Sequence, residues 1–326
     1  MRHVPGLRRL QGVEIVAVCN QTRESSEVAA KELNIPVVCD SWEELIARPD
    51  IDAVFVGTWP YMHHSISIAA LRAGKHVFCQ ARLSMDGDEA REMKDVAHES
   101  GKIAMVCPVP IGLSIDQTIA RILEDGTIGD VRLIRIQSYS DVFAEDDAPA
   151  NWRKDHRLSG KNMHTLGMYI EVMHRWFGLT KALSAYTQIV VPERLTADGE
   201  RIRVEIPDHV LINAEMMAGF PVQYTFSTIV YHGRDKIQIF GSKGTLSYDV
   251  WGDVLYLLDG EEGIPADIHE DDLYDTINWR VESDFVRAIR EGASCHPTFE
   301  EGYHYMRVID AVHESAKSGQ RIELTY

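Results

Sequence analysis

The chain is poor in cysteine, in basic charge and in long apolar runs, and each shortage removes a class of protein. Five cysteines occur in 326 residues (Cys19, Cys39, Cys79, Cys107 and Cys295), scattered and without a C-x-x-C pair. That excludes a disulfide scaffold and a cysteine-held zinc site, and predicts free thiols in a reducing, cytoplasmic setting. Lysine and arginine number 33 against 50 aspartates and glutamates, a formal net charge of −17. Such a surface repels phosphate backbones and anionic lipid, so neither nucleic acid nor a membrane is the expected partner. No uninterrupted apolar stretch approaches the ~18 residues that a bilayer span needs. The first ten residues carry positive charge but no apolar segment, so no signal peptide is expected. Internal repeats and low-complexity linkers are absent as well.

What is present is the composition of a packed globular protein: 45% hydrophobic residues, too many for disorder, with 25% charged. The length suits two domains, placed at 1–108 and 109–326. In the first, apolar β-branched runs at 13–19, 37–39, 51–57, 76–79 and 102–107 alternate with helical patterns at 23–33, 65–73 and 86–99. Ser41-Trp42-Glu43-Glu44 reads as a capping box opening a further helix, and Gly74 as the C′ residue closing another. Strand and helix in alternation predict right-handed βαβ units and a doubly wound, Rossmann-like parallel sheet. Beyond Pro108-Val109-Pro110 the pattern changes. After a helix at 115–124, long alternating strands are expected at 131–138, 185–191, 209–216, 223–230, 236–240 and 245–248, with helices at 162–177, 281–290 and 300–318. This reads as an α+β domain built on a large, open, mostly antiparallel sheet. The acidic stretch 267–272 lacks the alternating spacing and glycine of a calcium loop and is expected to be a solvated loop.

A series of segments in chain order resembles the glucose–fructose oxidoreductase / inositol dehydrogenase / MocA family. They are Val13-Glu14-Ile15-Val16-Ala17-Val18-Cys19, Asp50-Ile51-Asp52-Ala53-Val54-Phe55-Val56-Gly57-Thr58 and Ala69-Ala70-Leu71-Arg72-Ala73-Gly74-Lys75-His76-Val77. Gly126-Thr127-Ile128-Gly129, Trp152-Arg153 with Ser159-Gly160, Gly241-Ser242-Lys243-Gly244-Thr245-Leu246 and Ser315-Ala316-Lys317-Ser318-Gly319-Gln320 continue the match. The resemblance implies hydride transfer between a nicotinamide and a sugar-like or otherwise hydroxylated small molecule. It also implies a homodimer or homotetramer formed through the open sheet.

Against that family the dinucleotide site is incomplete. No G-x-G-x-x-G occurs, although the family's first helix is matched by Arg2–Leu10, entered after that loop. The absent strand and loop would take roughly 10–20 residues. Either the start is set downstream of the natural one, or the chain has lost the loop. Asn20 ends the second strand, where an acidic residue would bond a ribose 2′-hydroxyl. With Arg23 nearby it suits a 2′-phosphate, so NADP is preferred to NAD, unless Arg23 is only a solvated helix residue. Thr58 and His63 match the family's Thr-Pro-x-x-x-His turn, with Trp59 in the proline's place, where it either packs on the nicotinamide half or fills the turn. Ungapped counting puts Gln80-Ala81-Arg82 where the family carries Glu-Lys-Pro, so Gln80 is a further cofactor-side candidate.

The acid–base positions depart too. The family lysine is Ala81, and Arg82 keeps a positive charge but is a poor proton shuttle. The family's Asp-x-Gly-x-His, whose spacing sets both side chains on one helix face, is here Thr165-Leu166-Gly167-Met168-Tyr169. Tyr169 is then the expected proton-transfer residue, with Arg82 as the cation that would lower its pKa. Trp152, Arg153, His164 and Thr165 are the substrate-side candidates. Arg153 could equally be an inter-domain salt bridge, and His164 a packed or solvated histidine. No metal is expected, since no His/Asp/Glu ligand set can be assembled and His63-His64 is too close for one helix face. The rival reading is a non-catalytic family member, a binding or scaffold subunit, favoured by loss of the Lys, Asp and His positions together with the glycine loop.

Overall fold

A computed structural model describes residues 3–258, 264–267 and 279–326. Along the first part run α1 (His3–Arg8), β1 (Ala17–Val18), α2 (Arg23–Glu32), β2 (Val37–Val38), α3 (Trp42–Ala47), β3 (Ala53–Val56), α4 (Pro60–Arg72), β4 (His76–Cys79), α5 (Gly87–Ser100) and β5 (Ala104–Val106). Then come α6 (Asp116–Glu124), β6 (Val131–Tyr139), α7 (His156–Ser159), α8 (Leu166–Phe177), β7 (Thr180–Gln188), β8 (Glu193–Leu195), β9 (Arg201–Arg203), β10 (His209–Met216), β11 (Pro221–Ser227), β12 (Lys236–Gly241), β13 (Thr245–Asp249), β14 (Val254–Leu258) and β15 (Ile264–Pro265). The chain closes with α9 (Val281–Glu291), α10 (Phe299–Ser318) and β16 (Ile322–Glu323). Most of the acidic stretch 267–272 lies outside the described residues.

The chain forms two units: Met1–Ser84, Asp88–Pro108 and Asp275–Tyr303 in one; Met85–Gly87, Val109–Tyr274 and His304–Tyr326 in the other. The segment carrying α9, counted from sequence with the C-terminal domain, therefore folds with the N-terminal one. The reason is aromatic: Phe285 of α9 meets Phe55 of β3 and Phe78 of β4 edge-on, at 5.4 and 5.6 Å between ring centroids. An apolar helix face pays little for sequence distance when it finds a matching sheet face.

In the first unit the parallel sheet comes in two pieces, β1-β2 and β3-β4-β5. A doubly wound sheet of order 3-2-1-4-5-6 would join such pieces through one more strand, and no described strand does so. The run 13–19 is strand only at Ala17–Val18, since β1 pairs with β2 alone. The helix ends follow local chemistry. Thr22 and Ser25 make a capping box for α2, and Ser41 accepts the Glu44 N–H at 3.2 Å to open α3. Gly74, at φ +75°, ends α4 with an N–H to the Leu71 carbonyl. That helix starts at Pro60, five residues earlier than periodicity predicts, because proline suits the first helical position.

The second unit is built on a nine-stranded sheet of order β15-β14-β13-β12-β6-β11-β10-β7-β16, antiparallel except for the β11–β6 pair. Alternation sets its two faces: Val210, Ile212, Ala214 and Met216 of β10 are buried, whereas Leu211 and Asn213 point outward. The motifs Gly126-Thr127-Ile128-Gly129 and Gly241-Ser242-Lys243-Gly244 prove to be two halves of one clasp. The Lys243 N–H donates to the Ile128 carbonyl, and the Ser242 N–H to that of Asp130, both at 2.9 Å.

Candidate active site

In the first unit the candidates collect at the carboxyl ends of the parallel strands, where open α/β sheets bind ligands. Asn20 follows β1, Thr58 and Trp59 follow β3, and Gln80, Ala81 and Arg82 follow β4. His63, in the first turns of α4, is the pin between two of these turns. Its Nε2 meets the Thr58 carbonyl at 2.9 Å, while Nδ1 meets those of Arg82 and Leu83 at 2.9 and 3.2 Å. Burial pushes its pKa down, so His63 is an organiser of the loops rather than an exposed ligand. Its neighbour His64 turns the other way, to Glu92. Trp59 is the N-cap residue of α4 and 41% exposed, and no side chain caps that helix end. The Gln80 amide is hydrogen-bonded to the His3 ring, and Arg82 is buried.

The ribose side is different from the sequence expectation. The Asn20 amide donates to the Ser25 carbonyl at 3.0 Å. Arg23, read as a partner for a 2′-phosphate, instead pairs with Glu27 and Asp40, and those carboxylates raise its pKa. A phosphate there would compete with both. For a dinucleotide, the residues present fit the ribose and nicotinamide ends, with a polar Asn20 and an exposed aromatic Trp59 beside an uncapped helix terminus. They supply no glycine-rich backbone cradle for the pyrophosphate.

In the second unit, α8 carries the two positions singled out by the family pattern, and the structure joins them through residues that sequence reading missed. Tyr169 is fully buried and its hydroxyl donates to Asp235 Oδ2 at 2.7 Å. Ser138 Oγ of β6 donates to the same oxygen at 2.9 Å and lies 3.0 Å from Thr165 Oγ1. Thr165 is the N-cap residue of α8 yet makes no side-chain cap, forgoing a bond worth about 1 kcal/mol to join this network. The expectation that a cation lowers the Tyr169 pKa is reversed: burial first, and then the Asp235 charge, drive it upward. Arg82 and Tyr169 belong to different units. Neither Ser138 nor Asp235 has a sequence signal. One alternates along a strand, and the other follows Gly233-Arg234 in what reads as an ordinary turn.

His164, at φ +49°, turns the chain into α8 and has its ring bonded to the Pro207 carbonyl. Left-handed backbone at a non-glycine costs of order 1 kcal/mol or more. Arg153 is exposed, with its guanidinium 4.3 Å above the Trp152 ring, and no carboxylate lies within 4 Å of it among the described residues. The loop beneath is held rigidly. Lys154, wholly buried, donates to Asp208 at 2.6 Å, and Arg194 donates to the carbonyls of Phe143, Glu145 and Ala148. Gly160, at φ +61°, has no room for a side chain against Met85. Among the described residues no group of three or more His, Cys, Asp or Glu side chains could hold a metal ion.

Comparison with known proteins agrees with this layout. A family model described as "Oxidoreductase family, NAD-binding Rossmann fold" matches residues 1–107, and one for the "GFO/IDH/MocA C-terminal domain" matches 117–247. Levoglucosan dehydrogenase of Pseudarthrobacter phenanthrenivorans is 24% identical over 342 residues, covering 93% of this chain and 87% of that protein. An oxidoreductase domain protein from Kribbella flavida superposes with a TM-score of 0.85 at 25% identity, covering 100% of this chain and 96% of the other. The WlbA dehydrogenase from Bordetella pertussis, solved with NADH and UDP-GlcNAcA, gives a TM-score of 0.81 at 19% identity over 100% and 94% of the two chains. With both family models lying in order along one polypeptide and the two-unit fold shared from end to end, the chain belongs to the Gfo/Idh/MocA family of NAD-binding oxidoreductases.

Proposed function

We propose that this protein moves a hydride between a nicotinamide cofactor and the hydroxyl-bearing carbon of a sugar-like small molecule. The observation that carries the reading is the hydrogen-bonded group Thr165, Ser138, Asp235 and Tyr169, since dehydrogenation needs a fixed partner for the hydroxyl proton. Levoglucosan dehydrogenase and the NADH-bound WlbA supply the precedent for sugar-like ligands. The cofactor, when bound, supplies the hydride acceptor or donor. Asn20 and Arg23 would serve its adenosine ribose, and Thr58, Trp59 and Gln80 its nicotinamide half, with His63 fixing the turns they stand on. Arg82 would supply a buried positive charge on the cofactor side, and Tyr169 would belong to the proton-handling group on the substrate side. Trp152, Arg153, His164 and Thr165 form the substrate side, where the flat guanidinium of Arg153 suits sugar oxygens or a carboxylate.

Because Glu27 and Asp40 already neutralise Arg23, NAD(H) is preferred over NADP(H). The five thiols are all free, which suits a reducing cytoplasm. No helix among the described residues is long and apolar enough to cross a membrane. The outward face of the large sheet, where Leu211 is paired with Tyr186 and both are exposed, suits a contact with a second copy.

The reading is tested by titrating NADH and NADPH against nicotinamide fluorescence, then following hydride transfer across a panel of sugars and polyols. Saturable NADH binding, tighter than NADPH binding, with turnover of at least one polyol is expected. A protein that binds neither cofactor sinks it.

A further inference from the structure

Glu282 of α9 is buried, and it lies in the first unit together with α1 and β4. Its Oε1 accepts the Trp279 indole N–H at 2.9 Å and stands 2.5 Å from His3 Nδ1. Gly6 of α1 leaves the room for it, since a Cβ there would fall 2.4 Å from Glu282 Oε2. The His3 ring also packs on Phe78 of β4 and Phe55 of β3, at 5.0 and 5.9 Å between centroids. Its far nitrogen, Nε2, stands 2.5 Å from Gln80 Nε2. A carboxylate oxygen can only accept, so the proton of the ring is on Nδ1. Nε2 is then an acceptor, and the NH2 of Gln80 is the end of the carboxamide that can meet it. The Gln80 Oε1 is thereby turned away from the ring. It takes no bond from any described residue, and Gln80 is only half-buried at the carboxyl end of β4. The backbone beneath is fixed, because the Gln80 N–H donates to the Val56 carbonyl at 3.0 Å.

We propose that Glu282 is a positioning residue for the cofactor: through His3 it holds the Gln80 carboxamide with Oε1 outward, as the hydrogen-bond acceptor for a donor group on the nicotinamide half. The proposal rests on the reading above, in which Gln80 serves that half. The carboxylate decides the sign of the contact. With the ring proton on Nε2 instead, His3 would take the Gln80 oxygen for itself and turn the NH2 outward, where it would meet a donor with a donor. The whole chain of contacts, from Glu282 through His3 to Gln80, lies within one unit.

The test compares the whole protein with its E282M, H3F and Q80L variants and with E282M and H3F each combined with Q80L. Q80L is expected to raise the Kd for NADH roughly 2- to 10-fold, the range of one hydrogen bond. E282M and H3F alone should raise it by no more than that, and neither should raise it further once Gln80 is leucine. A purely structural role would instead add its own loss to that of Q80L. Long-range proton–nitrogen NMR of the histidine rings gives a second readout with no cofactor present. The signals that vanish in H3F belong to His3, and they should show the proton on Nδ1 in the wild type and not in E282M. Should E282M fail to fold, the H3F and Q80L combination decides, because H3F leaves the Trp279 bond to Glu282 in place. Losses that add, a wild-type His3 proton on Nε2, or an E282M protein whose His3 proton stays on Nδ1 overturns the role of Glu282 only. A wild-type protein that binds no NADH removes the cofactor reading and the presentation of Gln80 with it, even where the ring proton is on Nδ1.

Discussion

Lys154 is the residue whose burial is hardest to account for without a partner. It is 0% exposed, and Asp208, its partner at 2.6 Å, is equally buried and also takes the N–H groups of Val190 and Val191 on its other oxygen. An ammonium has no place in an apolar interior unless it is paired and hydrogen-bonded. The carbonyls of Ile206 and Pro207 complete the shell. Removing one charge leaves the other stranded, so Lys154→Met should cost about 3–5 kcal/mol, read as a drop in the urea midpoint. The double variant Lys154→Met/Asp208→Asn should recover part of that loss, because the amide oxygen still accepts both N–H groups and no charge remains. Arg153, one position earlier, is the contrast: the same loop buries one cation for structure and holds the next in the open on an indole ring. The Trp152-Arg153 pair was readable as a motif. That Lys154 would be the buried one was not, because a lysine in a polar loop carries no sign of its depth.

At the level of elements, the recurring glycine motifs are packing devices. Gly241 ends β12 where a Cβ would run into the backbone carbonyl of Ile128, and Gly129, at φ +68°, faces Ser242. The two turns close on each other through backbone hydrogen bonds, so neither can move aside cheaply. Gly241→Ala should therefore cost about 1–3 kcal/mol, measured by equilibrium unfolding. Gly252→Ala serves as the control, since the nearest atoms to its added Cβ are at ordinary contact distances of 3.7–3.8 Å. The helix cap at Ser41 and the stop at Gly74 were plain from the residues alone, because caps are local chemistry, whereas the Thr22 cap was not read. Strand extents were less so. The segment 180–184 and the strand β14 escaped the alternation, and 13–16 was read as strand although, among the described residues, it adds to the ladder only the Val16 carbonyl that accepts the Val37 N–H. Strand pairing depends on a neighbour that periodicity does not see.

On the scale of the whole molecule, a net charge of −17 coexists with an outward sheet face that presents Arg135 and Lys236 among the carboxamides of Gln137, Asn213, Gln223 and Gln238. Cations set among neutral amides, next to exposed Leu211 and Tyr186, suit this face to a contact with a second acidic copy. Leu211→Glu should shift the light-scattering mass toward monomer while leaving the far-ultraviolet circular dichroism unchanged; an unchanged mass would remove that face as the contact. The sequence by itself determined the βαβ alternation, the mostly antiparallel second half and the family, because periodicity, caps and motif spacing are encoded within a few neighbouring residues. Only the tertiary structure decided that α9 returns to the first unit, that the parallel sheet stands in two pieces among the described residues, and that Tyr169 is bonded to Asp235. Those facts depend on residues brought together across dozens or hundreds of positions, where burial and hydrogen-bond satisfaction, which no local pattern records, choose the partner.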